Sequence, residues 1–348
     1  MKIGIVNDLT IGVEALRRAV DLEPDHQIVW IARDGAQAVA MCALQTPDLV
    51  LMDLLLPKMD GVEATRRIMA ATPCAILIVT ASVGANANRV FEAMGHGALD
   101  AVDMPAIASQ DLRVGAAPML AKIERIGEMI SSRTMTTKAL AEKSECASIG
   151  IHRQTAVRIS HGSALVAIGA SAGGPAALAR ILSVVPVNFP AAIVVVQHVD
   201  ARFALGMVQW LSQYCRLPVR VAGEGERLVS GSVLLAGTSD HLTLKSADRL
   251  GYTAEPSDYF YRPSIDVFFH SVCRHWPGEA VGVLLTGMGR DGAVGMKALR
   301  DKGCHTIAQD QASSAVYGMP KAAANLNAAA DILALGEIAP RLVGLFAR

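Results

Sequence analysis

Apolar and polar positions follow two rhythms along the first 125 residues. Short apolar runs (IGIV, QIVWIA, DLVLMD, AILIVT and ALDAV) are each followed by stretches with helical spacing, such as VEALRRAV and GVEATRRIMA. Unbroken apolar runs predict strands covered on both faces, and the amphipathic stretches predict the helices that cover them. Strand and helix in alternation predict a doubly wound parallel sheet, with its functional edge at the carboxyl ends of the strands. From residue 161 the rhythm returns, with LVAIGA, AIVVVQ, PVRVA, VLLAG, AVGVLLT and HTIAQD as strands. SIDVFFHSVCRHW has helical spacing that puts Phe268, Val272 and Trp276 on one core face. LLAGTSDHLTLK reads as a hairpin in which His241 is structural. Residues 126–160 lack such runs and read as an ordered or partly helical linker. The expectation is an α/β chain with domains at 1–125 and 161–348.

Composition changes this picture little. A chain of 348 residues can supply each of two domains with a full core. Lysine plus arginine (32) balances aspartate plus glutamate (32), so no net field favours nucleic acid or an anionic membrane. Six cysteines at 42, 74, 146, 215, 273 and 304 show no metal spacing, which suits reduced thiols in a cytosol. The opening MKIGIVND turns polar too soon for a secretory signal. No apolar run reaches the roughly 18 residues of a membrane span. A cytoplasmic protein without membrane insertion is expected.

Candidate chemistry gathers at predicted strand ends. LVAIGASAGGP predicts a strand, a tight turn and a helix start, with Ser171 at the sheet edge and backbone N–H groups close by. AAIVVVQHV puts His198 after a second strand, and VGVLLTGMGRDG puts Asp291 in a Gly-rich loop after a third. A serine hydroxyl becomes a useful nucleophile when an imidazole takes its proton, and a carboxylate fixes that imidazole's tautomer. Gly169, Ser171 and Gly173 also fit the nucleophile elbow of α/β-hydrolases, but there the acid precedes the histidine, and here it follows. In the first domain, Asp8 follows strand one, Asp53 ends strand three and Thr80 ends strand four. Carboxylates gathered at one edge suit Mg²⁺, beside which a carboxylate can accept a phosphoryl group.

GASAGGP, VVVQHV, YRPSIDVFF, LLTGMGRDGAVGM and AQDQASSAVYGMPKAA, in that order, resemble the chemotaxis methylesterase family CheB from about residue 164 to the end. The resemblance implies a catalytic triad of Ser171, His198 and Asp291 without a cofactor. It also implies removal of methyl esters from glutamates of methyl-accepting chemoreceptor-type proteins, with deamidation of glutamines. QHVD stands where QHMP is usual, and LLAGTSDHL lacks a common proline. LMDLLLPKMDG, with ND at strand one and VTAS at strand four, resembles response-regulator receiver domains, which have a flavodoxin-like fold. That resemblance implies Asp53 as phosphoacceptor, supplied by a CheA-type histidine kinase. Asp8, Asp53 and the Leu55 carbonyl are then the Mg²⁺ ligands, and Thr80 is the hydroxyl that senses the phosphoryl group. Three positions depart: Asn7 replaces an acid, Met104 the usual lysine, and Ala101 a common aromatic switch residue. IVNDLTIGVEALRRAV, VEATRRIM and ALDAVDMP look most like the family's Wsp-type branch, whose receptor arrays control a diguanylate cyclase. Two other classes fit a receiver joined to such a domain: a serine hydrolase of different substrates, and a non-catalytic receptor adaptor.

Overall fold

The computed structural model describes residues 1–106, 112–139, 164–257, 259 and 261–346. The first domain carries β1 (Lys2–Val6), β2 (Gln27–Ala32), β3 (Leu49–Met52), β4 (Ala75–Thr80) and β5 (Asp100–Asp103) in one parallel sheet of order 2-1-3-4-5. Its helices are α1 (Thr10–Val20), α2 (Gly35–Leu44), α3 (Gly61–Ala71), α4 (Ala87–Gly95) and α5 (Leu112–Ala139). Each strand after the first is reached through a helix, the geometry that parallel neighbours require. Ile3, Ile5, Leu49, Leu51 and Leu77 are buried on one side with Leu16 of α1 and Ile123 of α5. Val50, Met52, Ile76 and Ile78 face the other side with Ile68 of α3 and Phe91 of α4. The strand order reverses between β1 and β3, so the loops holding Asp8 and Asp53 flank the crevice where such sheets bind ligands.

The second domain is built on β6 (Ala164–Ala170), β7 (Ala191–Gln197), β8 (Val219–Val221), β9 (Val233–Leu235), β10 (His241–Ser246), β11 (Arg249–Thr253), β12 (Glu279–Leu284), β13 (His305–Gln309) and β14 (Asp331–Leu333). Its helices are α6 (Gly174–Leu182), α7 (Ala201–Leu211), α8 (Ile265–His275), α9 (Ala293–Asp301), α10 (Met319–Asn325) and α11 (Leu335–Phe346). Seven strands form a parallel sheet of order 14-13-12-6-7-9-8, while β10 and β11 pair separately as an antiparallel ribbon. β6 and β7 are buried along their whole length, as continuous apolar runs require. The crevice of this sheet lies between β6 and β12, beyond whose carboxyl ends lie Ser171 and the Thr286–Gly292 loop. Phe268, Val272 and Trp276 of the α8 region are buried as the spacing predicts.

One reading changes. The hairpin expected at LLAGTSDHLTLK does not form: β9 is buried between β7 and β8, and β10 turns instead onto β11. The apolar VLL run demands cover on both faces, which a hairpin arm on the surface lacks. The helix α5 continues past residue 125 to Ala139, within the stretch read as an ordered or partly helical linker; residues 140–163 lie outside those described.

The two domains share a packed boundary. Phe91 of α4 meets Trp210 of α7 with ring centroids 5.9 Å apart, and both belong to one continuous apolar cluster. Lys122 of α5, almost fully buried, pairs with Asp100 and reaches Asp200 at the start of α7 at 3.6 Å. A Cβ on Gly95 would come within 2.7 Å of the Ala176 Cβ, so the end of α4 lies flush on α6.

Candidate active site and candidate phosphorylation site

Ser171 follows β6 at once and is 7% exposed. Its N–H donates to the Thr286 carbonyl (3.1 Å), tying it across the crevice to the loop after β12. Its carbonyl accepts from Gly174 N–H (2.7 Å) and from Gln197 Nε2 (2.9 Å). Gly173 has φ +79°, the left-handed conformation that lets the chain turn from strand into α6 with little cost. Gly287 is glycine for a different reason, since a Cβ there would sit 2.8 Å from the Ser171 Cβ. The backbone after β12 thereby passes directly beside the serine side chain.

His198 and Asp291 meet behind it. His198 Nε2 lies 2.8 Å from Asp291 Oδ2, while His198 Nδ1 is buried with no hydrogen-bond partner. Asp291 is a pure acceptor here, so Nε2 carries the proton and Nδ1 presents its lone pair. Asp291 also accepts from Ser264 Oγ (2.9 Å), Ile265 N (2.7 Å) and Asp266 N (3.1 Å). These donors form the first turn of α8, whose free N–H groups favour an anion. Burial alone would raise the Asp291 pKa, but the His198 hydrogen bond and those backbone donors outweigh it and hold it below the ordinary value. His241 is fully buried and braces the same turn: Nδ1 accepts from Ser264 N and Nε2 donates to the Pro256 carbonyl, each at 3.0 Å. Sequence reasoning passed over the roles of Ser264 and Gln197, although both lie inside stretches already singled out, YRPSIDVFF and VVVQHV.

Asp266, next in α8, is pushed up to about 6 by burial and by the charge of Asp291. A raised carboxyl pKa means that the folded state holds the proton more tightly than the unfolded state. Stability is therefore full below the unfolded value near 4 and is lost as pH rises through about 6. Asp266→Asn keeps an acceptor for Gly295 N and should remove that loss. Denaturant titrations at intervals from about pH 4 to 7.5 should show the variant gaining on the wild type by about 1–2 kcal/mol. A constant difference across that range would contradict the assignment.

Ser171 and His198 line a cavity of about 390 Å³ whose far wall belongs to the receiver domain, through Leu99, Asp100, Lys122 and Arg125. The Met94 carbonyl of α4 accepts from Gly173 N–H at 2.8 Å, a backbone bond from receiver to the serine loop.

The receiver edge gathers its own residues. Asp53 follows β3, is 9% exposed, and accepts from Asn7 Nδ2 (2.8 Å) and Leu55 N (3.2 Å). Burial raises its pKa, the Leu55 N–H draws it back, and the nearby charge of Asp8 raises it further. Thr80 is fully buried and its hydroxyl accepts from Asn86 Nδ2 (3.0 Å), at the residue that begins α4. Asn86 had no sequence signal. Ala101 is fully buried on β5 and Met104 packs into the α1/α5 face, so neither offers the polar or aromatic contact usual at its position. Among the described residues no cluster of three or more His, Cys, Asp or Glu side chains could hold a metal; at position 7 an asparagine donates to Asp53.

Comparison with known proteins agrees with the two-domain fold. The family model described as CheB methylesterase matches residues 166–342, and that of the response regulator receiver domain matches 3–116. A protein-glutamate methylesterase/protein-glutamine glutaminase of Cupriavidus pinatubonensis is 58% identical over 99% of this chain and 97% of its own. One of a group 3 operon of Pseudomonas putida is 60% identical over the full length of both. The CheB methylesterase catalytic domain of Thermotoga maritima superposes with a TM-score of 0.51 at 31% identity, covering 53% of this chain and all of that one. The chain belongs to the CheB methylesterase family, with a receiver domain at its N-terminus.

Proposed function

We propose that this chain is a two-component response regulator whose output is a protein-glutamate methylesterase and glutaminase acting on chemoreceptor-type proteins. The observation that carries the reading is the His198 imidazole, bonded to Asp291 through Nε2, with a free Nδ1 in the cavity that also holds Ser171. Ser171 Oγ attacks the carbonyl carbon of a methylated glutamate as His198 Nδ1 takes its proton. The tetrahedral intermediate expels methoxide, which receives that proton and leaves as methanol; water then cleaves the acyl-enzyme by the same proton route. Asp291 stays ionised throughout, orienting the ring and stabilising its cation. With a glutamine substrate the leaving group is ammonia. The three side chains supply nucleophile, base and orienting acid, so no cofactor is assigned to hydrolysis.

Asp53 is the phosphoacceptor in this reading, supplied by a CheA-type histidine kinase. Asp8, Asp53 and the Leu55 carbonyl would hold Mg²⁺; all three are hard oxygen donors, and that carbonyl accepts from no donor among the described residues. The ion, when bound, neutralises charge on the acyl phosphate. With Met104 in place of a lysine, the phosphoryl group has one cation fewer, which favours a shallower response or an altered acyl-phosphate lifetime.

The unphosphorylated receiver covers the catalytic cavity. Two hydrogen bonds at opposite ends of α4 support this: Asn86 to Thr80 at its start, and the Met94 carbonyl to Gly173 N–H at its end. Nine residues of helix span about 13 Å between them. Drawing Thr80 toward a phosphoryl group frees Asn86, and a shifted α4 withdraws Met94 from the serine loop. No helix described is long and apolar enough to cross a membrane, which accords with a cytoplasmic enzyme working on the inner ends of receptors. The stretches at 5–20, 62–69 and 98–105 favour the Wsp-type branch and a surface-signalling receptor array.

Methanol release from a methylated receptor fragment, with and without a small phosphodonor, tests the reading. Release that rises with phosphodonor and Mg²⁺ is expected. Turnover of generic esters with none from the receptor points to another hydrolase, and receptor binding without turnover to an adaptor.

A further inference from the structure

We propose that Tyr261 is a positioning residue for the base, holding the His198 ring in its working plane and favouring the imidazolium that forms during turnover. This rests on the Ser171–His198–Asp291 reading above. The two rings are stacked, with centroids 4.0 Å apart and planes 5° from parallel. A single hydrogen bond from Nε2 to Asp291 fixes one atom of the imidazole and leaves the ring free to tilt about that contact. The phenol face removes that freedom, so the Nδ1 lone pair keeps one direction within the cavity it shares with Ser171.

The same geometry has an electronic consequence. The face of an aromatic ring is electron-rich and attracts a cation lying over it. Neutral imidazole gains little from that face, whereas the imidazolium formed on taking the serine proton gains more. The contact therefore stabilises the charged intermediate stages over the ground state, the condition for raising kcat rather than only lowering KM. Burial, and then the charge of Asp291, push the Tyr261 phenol far above its ordinary pKa, so it remains neutral beside the base. Its hydroxyl lies 3.4 Å from the Met288 carbonyl, a long contact to the loop that carries Asp291. Tyr261 and Ser264 thus come from one four-residue segment: the first stacks on the base and the second donates to the acid. That segment, YRPS, leads directly into α8.

The charges around this pair are Asp291 at Nε2, Asp266 behind it, and along the cavity the cations Lys122, Arg125 and Arg262 with the carboxylates Asp100, Asp200 and Asp240. None of them is altered by replacing the phenol ring. Three variants of the full-length protein test the proposal: Tyr261→Phe keeps the ring, while Tyr261→Leu and Tyr261→Met fill the slot without one. Methanol release from a methylated receptor fragment should give a kcat about 10- to 100-fold lower for Leu and Met, with KM within about threefold. Phe should restore kcat to within about threefold of wild type. With ¹³C-histidine labelling, the His198 ring protons should move downfield in Leu and Met, as the ring current is lost, and stay in place in Phe.

A raised KM with unchanged kcat in Leu and Met would make Tyr261 a wall of the substrate groove and overturn the proposal. Loss of kcat in Phe as well would assign the effect to the hydroxyl and Met288, overturning it too. Either outcome is distinct from failure of the triad reading, in which the wild type itself releases no methanol.

Discussion

Ser171→Ala should lower methanol release from methylated receptor by roughly 10⁴- to 10⁶-fold while leaving the melting temperature nearly unchanged. The side chain is short, borders the cavity, and makes no hydrogen bond among the described residues, so removing its hydroxyl costs the fold little. What holds the turn together is backbone: Ser171 N to Thr286 O, Gly174 N to Ser171 O, and Gln197 Nε2 to the same carbonyl. His198→Ala should be similarly inactive, and the double variant scarcely worse than either single, because nucleophile and base act as one unit. Asp291→Asn should lose activity for another reason. An asparagine can present its N–H₂ to Nε2, which favours the opposite tautomer and puts the proton on Nδ1, where the lone pair is needed. Asp291→Asn should also destabilise the start of α8, where the carboxylate accepts from Ile265 and Asp266, so its melting temperature is expected to fall. Release at the wild-type rate by the Ser171 variant would sink the hydrolase reading.

The second large effect is expected at the domain boundary. Asp53→Asn should abolish Mg²⁺-dependent incorporation of label from a phosphodonor, and with it the stimulation of methanol release. A coupling between two sites of this kind is typically about 5- to 150-fold. Gly95→Leu should then bypass the block. A Cβ at position 95 already comes within 2.7 Å of Ala176, so a leucine must push the end of α4 away from α6 and carry the Met94 carbonyl off Gly173 N–H. Glycine is a poor helix former, so the exchange should not weaken α4 itself. In the Asp53→Asn background, Gly95→Leu should release methanol constitutively at or above the phosphodonor-stimulated wild-type rate. If the double variant remains at the unstimulated rate while its receiver stays folded, the receiver does not restrain the enzyme through α4. It is then only a docking module.

The positions of the candidate site residues were legible in the sequence because parallel strands covered on both faces must be continuous apolar runs. The residue that follows each run stands at the carboxyl edge of its sheet. Ser171 after β6, His198 after β7, Asp8 after β1 and Asp53 after β3 could all be placed this way before any contact was known. The core face of α8 was legible for the same reason, since Phe268, Val272 and Trp276 repeat at the helical period. What the sequence could not decide is everything that depends on which segments meet. Pairing of β10 with β11 rather than β9 is a competition between partners, settled when the sheet buries β9 on both faces. His198 and Asp291 are 93 residues apart in the chain, and the choice of Nε2 for the acid and Nδ1 for the open cavity follows from how β7 and the β12 loop sit against α8. Tyr261 over His198, Asn86 on Thr80 and Met94 on Gly173 carry no local pattern at all. Periodicity along a chain reports which face of an element is buried; only the packed chain decides what it is buried against.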